Sequence, residues 1–278
     1  MLVPLDFTDA SKNAFEYALQ LAKELGAELH MLHVVSPAPI LTSYPPELMV
    51  VPAFDTTVGV KEQLKKLTTY YPNKDKDVLI EHNVPLQYWV KEGPAVTTIL
   101  ATAEALSVDM ILLGAKARTQ IGNFLLGSVT ADLITQTELP VLVIPANCAY
   151  EPIEHIAYST EMEGKDQAAF QQLKLLANQL LARLQPFFVN QLTADVSNDI
   201  EETWTTASLS PKEGEIEDVA VVRQPFVTVG IHYFLEQHPS QILAMFTPKR
   251  SFLAQLFHLS VTQQMVAQTT IPLLIYRG

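Results

Sequence analysis

The sequence predicts an α/β protein made of two doubly wound domains, each with five parallel strands. Three observations predict it. Short apolar runs alternate with stretches of helical periodicity along the whole chain, which is the pattern of βαβ crossovers and a mostly parallel sheet. The chain has 278 residues, enough for two domains that each bury a core. Its two halves also align with each other. Residues 113–145 match 245–277 without a gap at an offset of 132, with eight identities in 33 positions. Arg118 falls on Arg250, Ser128-Val129-Thr130 on Ser260-Val261-Thr262, Gln136-Thr137 on Gln268-Thr269, Pro140 on Pro272 and Leu142 on Leu274. The N-terminal helices overlay at a different offset of 155, which places Phe15 on Phe170. The change of offset marks an insertion or deletion in a loop. A duplicated domain follows, with domains at 1–148 and 149–278 and a boundary near 146–152.

The elements follow in order. Leu2–Leu5 is an apolar run that reads as a buried strand ending in the polar loop Asp6–Asp9. Asp9 or Ser11 is expected to cap the next helix. That helix repeats Ala14, Phe15, Ala18, Leu19, Leu21 and Ala22 at helical spacing and stops at Gly26. His30–Val35 is a second strand. Five prolines between 36 and 57 make a long irregular connection, and a helix is expected around 60–70. Val78–Val84 and Gln87–Val90 read as extended, Val96–Leu106 as a helix opened by Gly93-Pro94, and Asp109–Leu113 as a strand. A glycine-bearing loop, a helix from Ser128 to Thr135 and the strand Leu139–Ile144 complete the first half. In the second half, His155–Ser159 and Pro186–Asn190 read as strands flanking a helical stretch at 167–184. The acidic segment 201–218 reads as a solvated loop, Phe226–Ile231 and Ile242–Phe246 as strands, and Ile271–Tyr276 as the last strand.

Hydrophobic residues make up 48% of the chain and charged residues 17%, a folded rather than disordered composition. The net charge of −12 is shared evenly by the halves. An acidic surface without a basic block argues against nucleic acid and against an anionic membrane surface. No apolar run reaches the ~20 residues of a membrane span, and no secretory leader is legible at the start. Cys148 is the only cysteine. It excludes an internal disulfide, fits the reducing cytoplasm, and reads as a bystander.

The segment that carries chemistry runs from Gly114 through Lys116, Ala117, Arg118 and Gly122 to Gly127-Ser128-Val129-Thr130. It joins an apolar strand to a helix. A glycine-bearing loop there lets backbone N–H groups approach a ligand, and the following helix N-terminus favours an anion. The Ser128 hydroxyl serves either a phosphate oxygen or the helix cap. On the residues alone, the competing and slightly favoured reading is a ligand-free turn with a serine cap.

The spacing resembles the universal stress protein signature Gly-x2-Gly-x9-Gly-(Ser/Thr). Gly114 matches the first glycine and Gly127-Ser128 the last pair, while Ala117 stands at the middle glycine. The resemblance implies an adenine nucleotide alpha hydrolase-like fold and a site for ATP or another adenine nucleotide, with Mg²⁺ accompanying it. Pro4 and Asp6 match the end of the family's first strand, where the aspartate sits near adenine. Val34, Val35, Leu113 and Val129 match its adenine-pocket positions, and Arg118 stands in the phosphate loop. If position 117 needs a positive φ, alanine there costs about 1 kcal/mol. In the second half Phe246, Lys249 and Leu259 replace the three motif positions and only Ser260 remains, so no nucleotide is expected there. Asp6 corresponds to Glu161, or to Thr160 in the neighbouring register.

The remaining candidates read structurally. Asp6 and Asp9 form no expected metal pair, His33 is a satisfied rim histidine, and His30 and His82 have no evident partner. Trp89 and Trp204 pack. No nucleophile elbow is present for Ser128. The resemblance also implies pairing of the two halves through their last strands, Pro140–Ile144 and Pro272–Tyr276, and a homodimer of the whole chain. Three functions stand side by side: a cytoplasmic nucleotide-binding stress regulator, a non-binding scaffold of the same fold acting through protein contacts, and a slow ATPase, for which no residue stands out as general base.

Overall fold

The computed structural model describes residues 1–36, 59–60, 84–115, 128–162, 166–191, 201–207, 217–247, 261–262, 265 and 269–278. The first half contributes β1 (Leu2–Pro4), α1 (Asp9–Leu25), β2 (Leu29–Val35), β3 (Leu86–Glu92), α2 (Ala95–Ala105), β4 (Ile111–Gly114), α3 (Ser128–Gln136) and β5 (Val141–Ile144). The second contributes β6 (His155–Ser159), α4 (Gln167–Gln179), β7 (Arg183–Gln191), β8 (Glu201–Ala207), β9 (Glu217–Gln224), α5 (Val227–Gln237), β10 (Ile242–Thr247) and β11 (Leu273–Arg277). The strands form one sheet of 11, in the order β3-β2-β1-β4-β5-β11-β10-β6-β7-β9-β8. Every pairing is parallel except β5–β11 and β8–β9.

The internal repeat holds at the level of register. Ile111 pairs with Val141 and, 132 positions later, Leu243 with Leu273. Leu2 pairs with His30 and, 155 positions later, Ala157 with Gln185. Where the halves meet, Leu142 of β5 lies opposite Leu274 of β11. These two residues are equivalent in the repeat, so a pseudo-twofold axis passes between them and the contact has the self-complementary form of an isologous interface. The segment after β5 is fastened to α1. The Asn13 amide donates to the carbonyls of Pro145 and Cys148 at 3.0 and 3.1 Å, and Tyr150 packs edge-on against Tyr17.

Helices cover both faces of the sheet. On one, Phe15, Ala18 and Leu21 of α1 join Phe170, Leu173 and Ala177 of α4; on the other, Ile99 of α2, Leu133 of α3 and Phe234 of α5 pack together with Leu113, Val143 and Leu243. Each strand near the centre therefore buries both faces, which is why these strands read as unbroken apolar runs. Helix α1 ends as its sequence predicts, with Gly26 left-handed at φ 59° and its N–H on the carbonyl of Ala22.

Several elements differ from the sequence expectation. Among the described residues, the second half has six strands rather than five. Within segment 201–218, expected to be a loop, residues 201–207 form β8, antiparallel to β9 at the sheet edge. An edge strand packs against one neighbour only, so it carries few apolar residues. Phe226–Ile231 is the start of helix α5, not a strand. Its β-branched Val-Thr-Val run has strand propensity, which burial of Ile231 and Phe234 on the sheet overrides. Helix α4 stops at Gln179, and β7 begins at Arg183. The helix expected near 60–70 and the extended stretch at 78–83 lie outside the described residues, apart from a helical Gly59-Val60.

Candidate functional site

In the first half the strand order reverses between β1 and β4, which leave the middle of that half-sheet in opposite directions. Such a switch point opens a crevice at the carboxyl ends of the strands. A cavity of about 240 Å³ lies there, lined from β1 and its loop by Pro4, Leu5, Asp6 and Thr8, from β2 by Leu32 and Val34, and from β4 by Leu113 and Gly114. Three helices point their N-termini into it: α1 with Ala10 and Ser11, α2 with Ala95 and Ile99, and α3 with Ser128, Val129 and Thr130. Aligned peptide dipoles make that end of each helix positive. The combination is an apolar slot whose mouth favours negative charge.

The loop that closes one side is ordered by short-range chemistry. Thr8, and neither Asp9 nor Ser11, is the N-cap of α1. It is extended (φ −68°, ψ 160°), and its Oγ1 accepts from the Ser11 N–H at 3.3 Å. Asp9 is already helical, and it pairs with Lys12 at 3.7 Å on the surface. Asp6 Oδ1 accepts from both the N–H and the hydroxyl of Thr8, at 3.1 and 2.6 Å. Phe7 between them is left-handed at φ 61°.

Gly114 has a reason of its own. A Cβ at this position would sit 2.1 Å from the Ala10 carbonyl oxygen and 2.9 Å from the Ser11 nitrogen. The first turn of α1 crosses the end of β4 so closely that only glycine fits.

Of the residues singled out from sequence, Pro4, Asp6, Val34, Leu113, Gly114, Ser128 and Val129 line this cavity together. Val35 does not. It follows Val34 on a strand, so its side chain points to the opposite face, and its carbonyl accepts from the Gly93 N–H. Ala117, Arg118 and Gly127 lie outside the described residues. Sequence reasoning missed Leu5, Thr8, Ala10, Ser11, Leu32, Ala95, Ile99 and Thr130. The cap position of Thr8 was legible in principle; Ala95 and Ile99 come from a helix nearly 90 residues away and carried no local signal.

The histidines also find their places. His33 Nδ1 lies 2.6 Å from the Leu5 carbonyl oxygen. His30 is buried and has a partner after all: the Trp89 indole donates to its Nδ1 at 3.3 Å. Burial lowers the His30 pKa, with the N-terminal ammonium adding to that and Glu28 opposing it. Cys148 is half-buried and burial raises its thiol pKa. Among the described residues no cluster of three metal-ligating side chains occurs and no helix is long and apolar enough to cross a membrane.

Comparison with known proteins points in one direction. The model of the universal stress protein family matches residues 1–145. A universal stress protein of Methanocaldococcus jannaschii is 29% identical over 144 residues, covering 52% of this chain and 80% of that protein. A universal stress protein of Bacillus subtilis is 29% identical over 144 residues, covering 52% of this chain and 97% of that protein. The solved structure of a universal stress protein from Archaeoglobus fulgidus covers 100% of this chain and 97% of its own with a TM-score of 0.66. At 15% identity it speaks for the fold alone.

Proposed function

Because the chain belongs to the universal stress protein family, we propose that it is a stress-response regulator whose first domain, residues 1–148, binds ATP or another adenine nucleotide, accompanied by Mg²⁺. The observation that carries this reading is the convergence of three helix N-termini on one partly apolar cavity at the strand-order switch. The apolar walls, Leu32, Val34, Ile99, Leu113 and Val129, suit the faces of a base. The Asp6 carboxylate suits the donors of a base or ribose, and the ends of α1 and α3 suit phosphate oxygens. The volume is below the roughly 300 Å³ at which pockets for drug-sized ligands begin, so it suits the nucleoside part, with phosphates at the mouth.

In this reading the second domain, residues 149–278, is a structural partner. The β5–β11 contact makes the chain its own pseudo-dimer, two such chains assemble as a homodimer, and the protein works in the cytoplasm. A second reading, a scaffold acting through protein contacts, draws support from Gly114. Since packing alone demands that glycine, its presence does not require a ligand.

Calorimetric titration with ATP and Mg²⁺ separates the two. The nucleotide reading expects saturable binding at or below millimolar ATP, lost in Ala95→Trp, which fills the cavity, and unchanged in Ser260→Ala. An absence of binding heat with the wild-type protein would leave the scaffold.

A further inference from the structure

We infer that His33, which does not line the cavity, is the positioning residue that holds its Leu5–Thr8 wall in place. The inference rests on the nucleotide reading of that cavity for its functional consequence, and on geometry for the rest.

The wall has an awkward shape for its residues. Leu5 is buried and continues the β1–β2 pairing, its N–H on the Leu32 carbonyl at 2.8 Å. Two residues later Phe7 turns left-handed, a conformation that disfavours a bulky side chain by about 1–2 kcal/mol. Something must hold the chain there. His33 meets it twice. Its Nδ1 faces the Leu5 carbonyl oxygen at 2.6 Å; since a carbonyl only accepts, Nδ1 carries the proton. Its ring lies against Phe7, centroids 4.7 Å apart. Asp6, the carboxylate presented to the cavity, is thereby pinned between two residues that His33 touches.

The second half supplies the contrast. At offset 155 the same backbone bond recurs, Thr160 N–H on the Phe187 carbonyl at 2.9 Å, and Met162 is left-handed at φ 57° like Phe7. The residue in the place of His33 is Phe188, which has no donor. There the loop is held differently: Thr160 Oγ1 accepts from the Met162 N–H and donates to Asp166, and the Met162 side chain is 37% exposed. The first half, with the cavity described above, keeps the histidine anchor; the second, with Phe246 at the Gly114 position, has dispensed with it.

Two variants test the inference. His33→Phe copies the second half: it keeps a ring for Phe7 and removes the donor. His33→Asn restores a nitrogen bonded to Cγ, where Nδ1 stands, and removes the ring. In nucleotide-free protein, amide exchange at Leu5 and Thr8, whose N–H groups are bonded to the Leu32 carbonyl and to Asp6, is expected to speed up about tenfold in His33→Phe, by local opening, and less in His33→Asn. ATP binding is expected to weaken about tenfold in His33→Phe, the loss of one hydrogen bond, and to recover to within about threefold of wild type in His33→Asn. Unchanged exchange and affinity in His33→Phe would overturn the inference, and so would an Asn variant as impaired as the Phe variant. Wild-type protein that binds no ATP while the exchange pattern holds would sink the nucleotide reading and leave the anchor established.

Discussion

Strand β4 ends in Gly114, and its counterpart β10 reaches Phe246 at the same position of the repeat. The registers around them are the same, so the difference lies in what crosses above. In the first half α1 starts at Asp9 and its Ala10 carbonyl presses on Gly114. In the second, α4 starts at Gln167, the equivalent of Lys12 and three residues later in the alignment. On β10 the Phe246 ring packs against the core. At the N-cap of α4 stands Asp166, the equivalent of Ser11. Buried, it accepts from the hydroxyls of Tyr158 and Thr160 at 2.7 and 2.6 Å. One half thus has a glycine beneath its first helical turn, and the other has an aromatic ring on the equivalent strand and a buried carboxylate at the helix N-cap. Divergence at a few positions changed the site while the strand registers beneath it stayed the same.

The sharpest way to break this comparison is Gly114→Ala. The added methyl meets backbone, which cannot swing aside, and stability to urea is expected to fall by about 3 kcal/mol. An unchanged midpoint would show that the close crossing does not distinguish the halves. Asp166→Ala comes next: it leaves two buried hydroxyls without their acceptor and is expected to cost about 2 kcal/mol, with ATP affinity in the first half unchanged. A loss of affinity there would mean that the halves are coupled.

Smaller effects sharpen the comparison at the far ends of α1 and α4. Gly26 and Leu181 are equivalent and both left-handed, at φ 59° and 55°, and Leu181 is 93% exposed. Leu181→Gly therefore removes strain and no packing, and a gain of about 0.5–1 kcal/mol is expected by thermal or urea unfolding. The smallest effect concerns pH. His30 titrates lower when folded than its ordinary value of 6.5, so the unfolded chain binds more protons in the window below that value. Stability is then complete above about pH 6.5 and falls as pH drops through the folded pKa. The second half has Gln185 at this position, and His30→Gln is expected to remove that part of the acid sensitivity in urea midpoints compared at pH 5.5 and 7.5.

Much of the fold was legible because its signals are local. Apolar runs marked β1, β2, β4, β5, β6, β10 and β11, since strands buried on both faces admit little else. Gly26 marked a helix end through its backbone freedom. The failures were local signals too. The Val-Thr-Val run of α5 looked like a strand, and the Glu- and Thr-rich β8 looked like a loop. Propensity is weak against packing in the first case and says little at a sheet edge in the second.

By itself, the sequence determined the duplication and the α/β class, because repeats and hydrophobic periodicity are properties of the chain read in order; its motif resemblance pointed to seven of the fifteen residues that line the cavity. Only the tertiary structure decided that Leu142 and Leu274 meet across a pseudo-twofold axis, that Trp89 answers His30 from 59 residues away, and that His33 reaches back to Leu5. It also gave Gly114 a meaning the motif did not contain. The glycine stands beneath a helix that lies about a hundred positions earlier in the chain, and only folding brings that helix across it.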